Sequence, residues 1–299
     1  MKYGLASKTA ELSAMIRAVA TRNKLGKSIF NDPYSKLFIG KRTSVIYYYN
    51  LILSFINPHF WNTGMNSVGY LLSLCRHRFI YDKLIHAMKS GTSQFIFIGA
   101  GYDTTYLNLK NSITSQTFIE LDFPATQKRK KKILSRNGFE TPNLMFNEID
   151  LKKESVKDVL KAEHLDYNKE TFIVIEGVLS YLMKNEIEQL INELPALFIN
   201  SIIIADYRMH GLEEKKNLLA AQWLSTFSKY NERYVSFFST DEIEILIKNS
   251  GLKLVRNIDL LDLWINNNEL KPNKKLQNFG GLFIAENGNK INKQGISDN

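Results

Sequence analysis

The chain has 299 residues, 44% hydrophobic and 23% charged, enough for one large core or for a core domain carrying a cap. Its formal net charge of +9 favours anionic partners without choosing among a charged cofactor, a nucleic acid and a membrane. The single cysteine, Cys75, excludes an intrachain disulfide and a thiolate zinc site.

In chain order, Lys8–Arg22 reads as a helix, and Asn31-Asp-Pro33 as the turn that follows it. The first twenty residues carry Lys2, Lys8, Glu11 and Arg17 and lack the apolar core of a secretory leader, so a cytoplasmic location is expected. No charged residue occurs from Thr43 to Cys75. The apolar run inside it, Val45–Ile56, is interrupted by Asn50 and followed by Asn57, Pro58 and Asn62. It falls short of the roughly 20 apolar residues of a membrane span. No integral span is expected, and a buried lid or apolar pocket wall is. A long helix then runs from about Ser67 to Lys89.

From Gln94 the pattern changes to short apolar runs: Gln94–Ile98, Thr117–Asp122, Leu144–Glu148, Thr171–Ile175 and Ser201–Asp206. Helical patterns separate them at Pro124–Ser135, Lys152–Ala162 and Asn185–Leu194. Buried strands alternating with helices predict a parallel sheet covered on both faces. Beyond a polar, helix-like segment at Leu212–Tyr230, Ser239-Thr-Asp-Glu242 is a capping box that starts a helix through Ile247, with Gly251 at its end. Two more strands fit Leu252–Ile258 and Gly281–Glu286, and the polar residues from Asn287 to Asn299 fray. The expected fold is α/β: a doubly wound, mostly parallel, seven-stranded Rossmann-like sheet with an N-terminal helical cap. Residues 1–90 form the cap and lead-in helix, and 91–299 the core.

In such a sheet, ligands bind beyond the carboxyl ends of the strands. The residues closing the strands are therefore the candidates: Gly99-Ala-Gly101, Glu120 and Asp122, Asp150, Glu176-Gly177 and Asp206. Glycines at the first turn let the backbone approach a ligand closely. Asp122 lies about 20 residues beyond Gly101, where a carboxylate accepts hydrogen bonds from ribose hydroxyls. Glu120 is the second choice for the ribose, and helix capping is the competing role for Asp122. A dinucleotide site prefers a third glycine, whereas Thr104 stands there and Asp103 occupies the turn. A carboxylate there repels a pyrophosphate and suits an ammonium group. Ribose, amino acid and no phosphate together describe S-adenosylmethionine.

Six stretches resemble the leucine carboxyl methyltransferase and tetracenomycin-type polyketide O-methyltransferase superfamily. They are Asn31-Asp-Pro33, Cys75-Arg-His-Arg78, Phe97-Ile-Gly-Ala-Gly-Tyr-Asp-Thr104, Phe118-Ile-Glu-Leu-Asp-Phe-Pro124, Ile149-Asp-Leu151 and Ile175-Glu-Gly-Val-Leu-Ser-Tyr-Leu182. Their order and spacing match from about Lys8 to Trp264. The resemblance implies S-adenosylmethionine as cofactor, with Arg76 on its carboxylate, Gly99 and Gly101 along its amino-acid part and Asp103 near its ammonium. It places Asp122 on the ribose, Asp150 and Leu151 at the adenine, Glu176 facing the cofactor and Tyr181 near the transferred methyl. Arg17 and Arg22 are equal candidates for a further basic contact.

The implied reaction is methyl transfer to an oxygen, carboxylate or hydroxyl, of a small apolar or aromatic acceptor. A carboxylate needs no base; a hydroxyl does, and His59 in the cap is the candidate. The sequence shows no metal-ligand cluster. Lys128-Arg-Lys-Lys-Lys132 falls on a helix expected to present several of these charges to solvent, and no recognition module accompanies it, so no nucleic-acid partner is expected. The alternatives are a protein C-terminal carboxyl methyltransferase and a non-catalytic scaffold binding anionic partners.

Overall fold

The structure is a computed structural model. It describes residues 4–57, 60, 64–163, 165–212, 221–222, 224–225, 228–230, 232–267 and 278–288. The chain opens with helices α1 (Lys8–Arg22), α2 (Lys24–Ile29) and α3 (Lys41–Ile56). Next come α4 (Gly64–Gly69) and α5 (Arg76–Lys89), joined without a break by a π-helical turn over Tyr70–Cys75. The predicted Ser67–Lys89 helix is thus present and begins slightly earlier. Its wide turn immediately precedes Arg76, and such turns re-aim the side chains beside them.

The alternating part contains β1 (Gln94–Ile98), α6 (Thr105–Leu109), β2 (Thr117–Asp122), α7 (Pro124–Arg136), β3 (Leu144–Glu148) and α8 (Val156–Lys161). It continues with β4 (Thr171–Ile175), α9 (Lys184–Leu197), β5 (Ser201–Arg208), α10 (Thr240–Asn249), β6 (Lys253–Asp259), α11 (Leu260–Asn267) and β7 (Gly280–Asn287). The strands form one seven-stranded sheet in the order β3-β2-β1-β4-β5-β7-β6. The first five are parallel, and β7 runs antiparallel between β5 and β6. The expected doubly wound sheet is therefore observed, with the order reversing at β1.

Local chemistry explains the element ends. Ser7 caps α1 by accepting from the Ala10 amide at 3.1 Å, and Pro124 opens α7. The predicted capping box is formed: Glu242 N–H donates to Ser239 Oγ at 3.2 Å, and Ser239 N–H to Glu242 Oε2 at 2.7 Å. The predicted Lys152–Ala162 helix shortens to α8 because Ser155 caps it, accepting from Asp158 N–H at 3.2 Å. The polar segment Leu212–Tyr230 lies largely outside the described residues, as does the C-terminal tail beyond residue 288.

Alternate residues of the buried strands build two cores. Phe95, Phe97, Phe118, Phe172 and Val174 face one side, where Ala14, Ala18 and Val19 of α1 and Leu84 and Ala87 of α5 pack against the same cluster. Ile96, Ile98, Ile119, Leu121, Ile173 and Ile175 face the other, against Leu160 of α8, Ile187 and Ile191 of α9, and Ile243 and Ile247 of α10.

One expectation is corrected in part and a second holds. The uncharged stretch does supply a pocket wall, since Ile46, Asn50, Phe60, Asn66, Gly69 and Ser73 line a cavity at the carboxyl ends of the parallel strands. But α3 is not a buried lid: only its Thr43, Tyr47 and Ser54 are buried, while Val45, Tyr48, Tyr49, Ile52, Phe55 and Ile56 are exposed. Tyr47, Leu51 and Leu53 pack against the core, and the apolar residues that remain on the other side of the helix point outward. The Lys128–Lys132 run presents several of its charges to solvent, as expected. Lys128, Lys131 and Lys132 are exposed, but Lys130 is buried against Glu120 at 2.6 Å and Arg129 pairs with Glu11 at 3.0 Å. Among the described residues, no helix is long and apolar enough to cross a membrane.

Candidate active site

A cavity of about 970 Å³ lies along the carboxyl ends of the parallel strands. That volume is at the upper end of the roughly 300–1,000 Å³ of small-molecule sites, room for more than one reactant. Arg76, Gly99, Gly101, Asp103, Asp122, Asp150, Leu151, Glu176 and Tyr181 all line it. His59, the candidate base, lies outside the described residues. Glu120 does not join the lining: its side chain is buried on Lys130 and its carboxyl is raised to about 7, burial outweighing the lysine's pull.

The sheet order lays these groups out in sequence along the rim. Asp150 and Leu151 follow β3, Asp122 ends β2, the glycine turn follows β1, Glu176 follows β4, and Asp206 and Arg208 stand at the end of β5. The glycine turn is a conformational requirement. Gly99 has φ +71°, and a Cβ there would lie 2.3 Å from Val178 Cγ2. Gly101 has φ +52°, and a Cβ on it would stand 3.0 Å from Ala10 Cβ, because α1 crosses the loop.

The β2–β3 end holds two carboxylates, of which only Asp150 has an ion-pair partner among the described residues. Asp122 is buried and accepts from Gly101 N–H at 2.5 Å and from Phe123 N–H at 2.7 Å. Burial pushes its carboxyl up to about 6 despite those amides. The N-cap of α7 is Phe123 and no side chain caps it, so the capping role weighed from sequence is not the one Asp122 takes. Asp150 is half-buried, accepts from Lys152 N–H at 3.2 Å and lies 3.5 Å from Lys153 Nζ.

The β4–β5 end is built from ion pairs. Buried Arg76 donates from Nε to Glu176 Oε1 at 3.0 Å and from Nη1 to Asp206 Oδ2 at 2.7 Å. Among the described residues its Nη2 makes no hydrogen bond. Burial would raise the Glu176 carboxyl, but His77 and Arg76 beside it hold it well below the usual range. His77 Nδ1 and Glu176 Oε2 share a hydrogen bond at 2.8 Å, and Asp103 Oδ2 is 3.8 Å from the same nitrogen. These three groups hold potential metal-ligand atoms within 4.8 Å of one another, a convergence the sequence did not reveal. Glu176 Oε1 and Oε2 are engaged by Arg76 and His77, and Asp103 stands beside them without a hydrogen bond to either other member of the trio. Asp103 also accepts from Thr105 N–H at 2.8 Å, holding the start of α6.

Asp206 was a strand-end candidate, whereas Arg208, Tyr234 and the anchoring role of Asp32 escaped the sequence reading. Asp206 accepts from Gly177 N–H at 2.5 Å and, on Oδ2, from both Arg76 and Arg208 at 2.7 Å. Its place at a strand end was the available signal. Arg208 is buried, lines the cavity and sits 5.4 Å from the Tyr234 ring centroid, and its Nε has no hydrogen-bond partner among the described residues. Tyr181 and Tyr234 lie together, ring centroids 5.1 Å apart, and burial raises the Tyr181 hydroxyl well above its usual range. Asp32, read as a turn residue, is a buried anchor. It accepts from Arg17 Nε at 2.8 Å, Thr104 Oγ1 at 2.7 Å and Ser35 N–H at 3.1 Å. Arg17 also donates to the Tyr102 carbonyl at 2.7 Å and lines the cavity, whereas Arg22 is exposed. Among the described residues, no histidine lines the cavity.

Glu232 forms part of the opposite wall and is filled by donors from Ser7, Lys8 and Thr9 at the start of α1. That leaves it poorly placed to take a proton.

Comparison with known proteins agrees with this architecture. The profile of the leucine carboxyl methyltransferase family matches residues 10–194. The chain is 28% identical over 290 residues to YktD of Bacillus subtilis (strain 168), named as a candidate S-adenosyl-L-methionine-dependent methyltransferase, covering 89% of this chain and 94% of that one. It is 22% identical over 162 residues to a leucine carboxyl methyltransferase 1 homolog of Arabidopsis thaliana, covering 48% of this chain and 49% of the plant protein. The crystal structure of a candidate methyltransferase from Thermobifida fusca superimposes with a TM-score of 0.58 at 13% identity, covering 96% and 97% of the two chains.

Proposed function

This chain belongs to the leucine carboxyl methyltransferase family of S-adenosylmethionine-dependent enzymes, and we propose that it methylates a carboxylate oxygen of a small, largely apolar acceptor. The observation that carries the reading is the order of polar groups along one cavity: acids at β3 and β2, a glycine turn at β1, ion-paired arginines at β4 and β5.

That order fits the cofactor from end to end. Asp150 would accept from the adenine amine, with Leu151 against the ring, and Asp122 would accept from the ribose hydroxyls. The bare backbone of Gly99 and Gly101 would admit the amino-acid part. Arg76, with Nη2 unspent and Arg17 nearby, would hold its carboxylate, and Asp103 and Glu176 its ammonium. When bound, the cofactor supplies an electrophilic methyl group for in-line displacement by an acceptor oxygen.

The chain's own contribution is positioning. Holding two reactants within attack distance supplies much of such a rate enhancement. Arg208 gives the β5 end a buried cation, its guanidinium held charged beside Asp206 and the two tyrosines even though burial opposes it. A cation there attracts and orients a carboxylate. An ionised carboxylate attacks without a base, in keeping with a lining that contains no described histidine and a Tyr181 hydroxyl too weakly acidic to serve. Tyr181 and Tyr234 then flank the acceptor.

The test is incubation with methyl-labelled S-adenosylmethionine and cell extract, followed by mild alkali. A carboxyl methyl ester releases its label as volatile methanol, the expected result. Alkali-stable label would mean a hydroxyl acceptor, and label on protein would move the acceptor to a polypeptide terminus. Calorimetry showing no binding of S-adenosylmethionine would overturn the cofactor assignment itself.

A further inference from the structure

We infer that α3 is a docking helix for anionic lipid bilayers. Its residues Val45, Tyr48, Tyr49, Ile52, Phe55 and Ile56 are each 52–72% exposed. Their spacing of three and four places them on one face of the helix. The buried residues Thr43, Tyr47 and Ser54 lie on the opposite face. Besides Tyr47, Leu51 and Leu53 packed on the core, the helix thus carries a second apolar stripe turned to solvent. A contiguous stripe of this kind marks an interaction surface.

Charge decides the partner. Between Glu11 and Asp82 the sequence holds nine lysines and arginines and one acid, Asp32. That acid is buried on Arg17, so this stretch offers no exposed carboxylate among the described residues. Six of the cations are exposed and surround α3. Lys41 and Arg42 form its first turn, and Lys36 Nζ lies 5.5 and 5.7 Å from the ring centroids of Tyr47 and Tyr48. Arg22, Lys24 and Lys27 sit on the α1–α2 corner, which Asn23 Nδ2 ties to the Ser54 carbonyl at 2.7 Å. An apolar face bordered by cations is the pattern of a helix lying in the plane of an anionic membrane surface. A second copy is the poorer occupant, because a two-fold contact would bring like charges together with no carboxylate on the patch to offset them.

The face stands apart from the methyl-transfer site, and the inference does not depend on that reading. The flank of α3 that carries Ile46 and Asn50 does line the cavity, so docking would set one cavity wall beside the bilayer.

Co-sedimentation with vesicles tests this. The full chain should pellet with vesicles rich in phosphatidylglycerol and at least tenfold less with phosphatidylcholine alone, and added salt should weaken the binding. The double variant Ile52→Asp/Phe55→Asp should lose at least tenfold. Lys41→Glu/Arg42→Glu should also lose affinity, mainly at low salt. Both variants alter exposed side chains, so their unfolding temperatures and calorimetric affinity for S-adenosylmethionine should match the unmodified protein. Failure of the full chain to pellet with anionic vesicles would overturn the inference. So would a dimer in solution that Ile52→Asp/Phe55→Asp converts to monomers, because a second copy would then cover the face.

Discussion

The two ends of the cavity each place a carboxylate in the lining, to opposite effect. Asp122 is a buried carboxylate held by backbone amides, and its proton affinity rises to about 6. Glu176 is a cavity carboxylate held by Arg76 and His77, and its proton affinity falls. One end is therefore short of donors and suited to neutral hydroxyl and amine groups. The other is a lattice of full charges suited to a zwitterion. Burial sets the cost in both cases, and the neighbour decides which way the proton goes.

Substitution at the charged end should have the largest effect. Arg76→Ala would leave Glu176 and Asp206 buried with one cation fewer, and breaking a buried pair costs about 3–5 kcal/mol. Denaturant unfolding should show that loss, and calorimetry should show no cofactor binding. A stable variant that still binds would remove the distinction between the two ends.

The donor-poor end should respond differently. Asp122→Asn should weaken S-adenosylmethionine about a hundredfold, the scale of two lost hydrogen bonds to a charged group. Stability should change little, because an ionised Asp122 is itself unfavourable at neutral pH. The same residue makes binding pH-dependent. Its folded-state pKa is raised, so it favours the folded protein at low pH, and that contribution is lost as pH rises from about 4 through 6. A ligand that donates hydrogen bonds prefers the ionised form, so cofactor affinity should fall below about pH 6, approaching roughly tenfold per pH unit. Titration calorimetry across that range would show the slope, and Asp122→Asn should abolish it.

The smallest effect belongs to the turn between the two ends. Gly99→Ala should cost about 1–3 kcal/mol from positive φ and the clash with Val178. Adding Val178→Ala should recover the steric share and leave the backbone share, a separation that a double-mutant cycle measures.

The sheet was legible because buried parallel strands are continuous apolar runs, and β1 to β5 carry little else. The rim was legible for a related reason: one strand end after another carries a glycine or an acid. The ion pairs were not. Lys130 looks like one more surface lysine until β2 places Glu120 beneath it, and Arg208 lies beyond the predicted end of β5. Asp32 reads as a turn residue because a partner, Thr104, is 72 positions away. The outward stripe of α3 was misread because apolar composition says nothing about which side of a helix finds a partner.

Asp206 has a consequence for how the two reactants meet. Its Oδ2 serves Arg76 and Arg208 at once. A ligand that recruits either guanidinium alters the hold on the other, so occupancy of one subsite is felt at its neighbour through a single oxygen atom. By thermodynamic reciprocity each reactant then changes the affinity for the other by the same factor. Cofactor and acceptor should load as a coupled pair, and Asp206→Asn should make their binding more nearly independent.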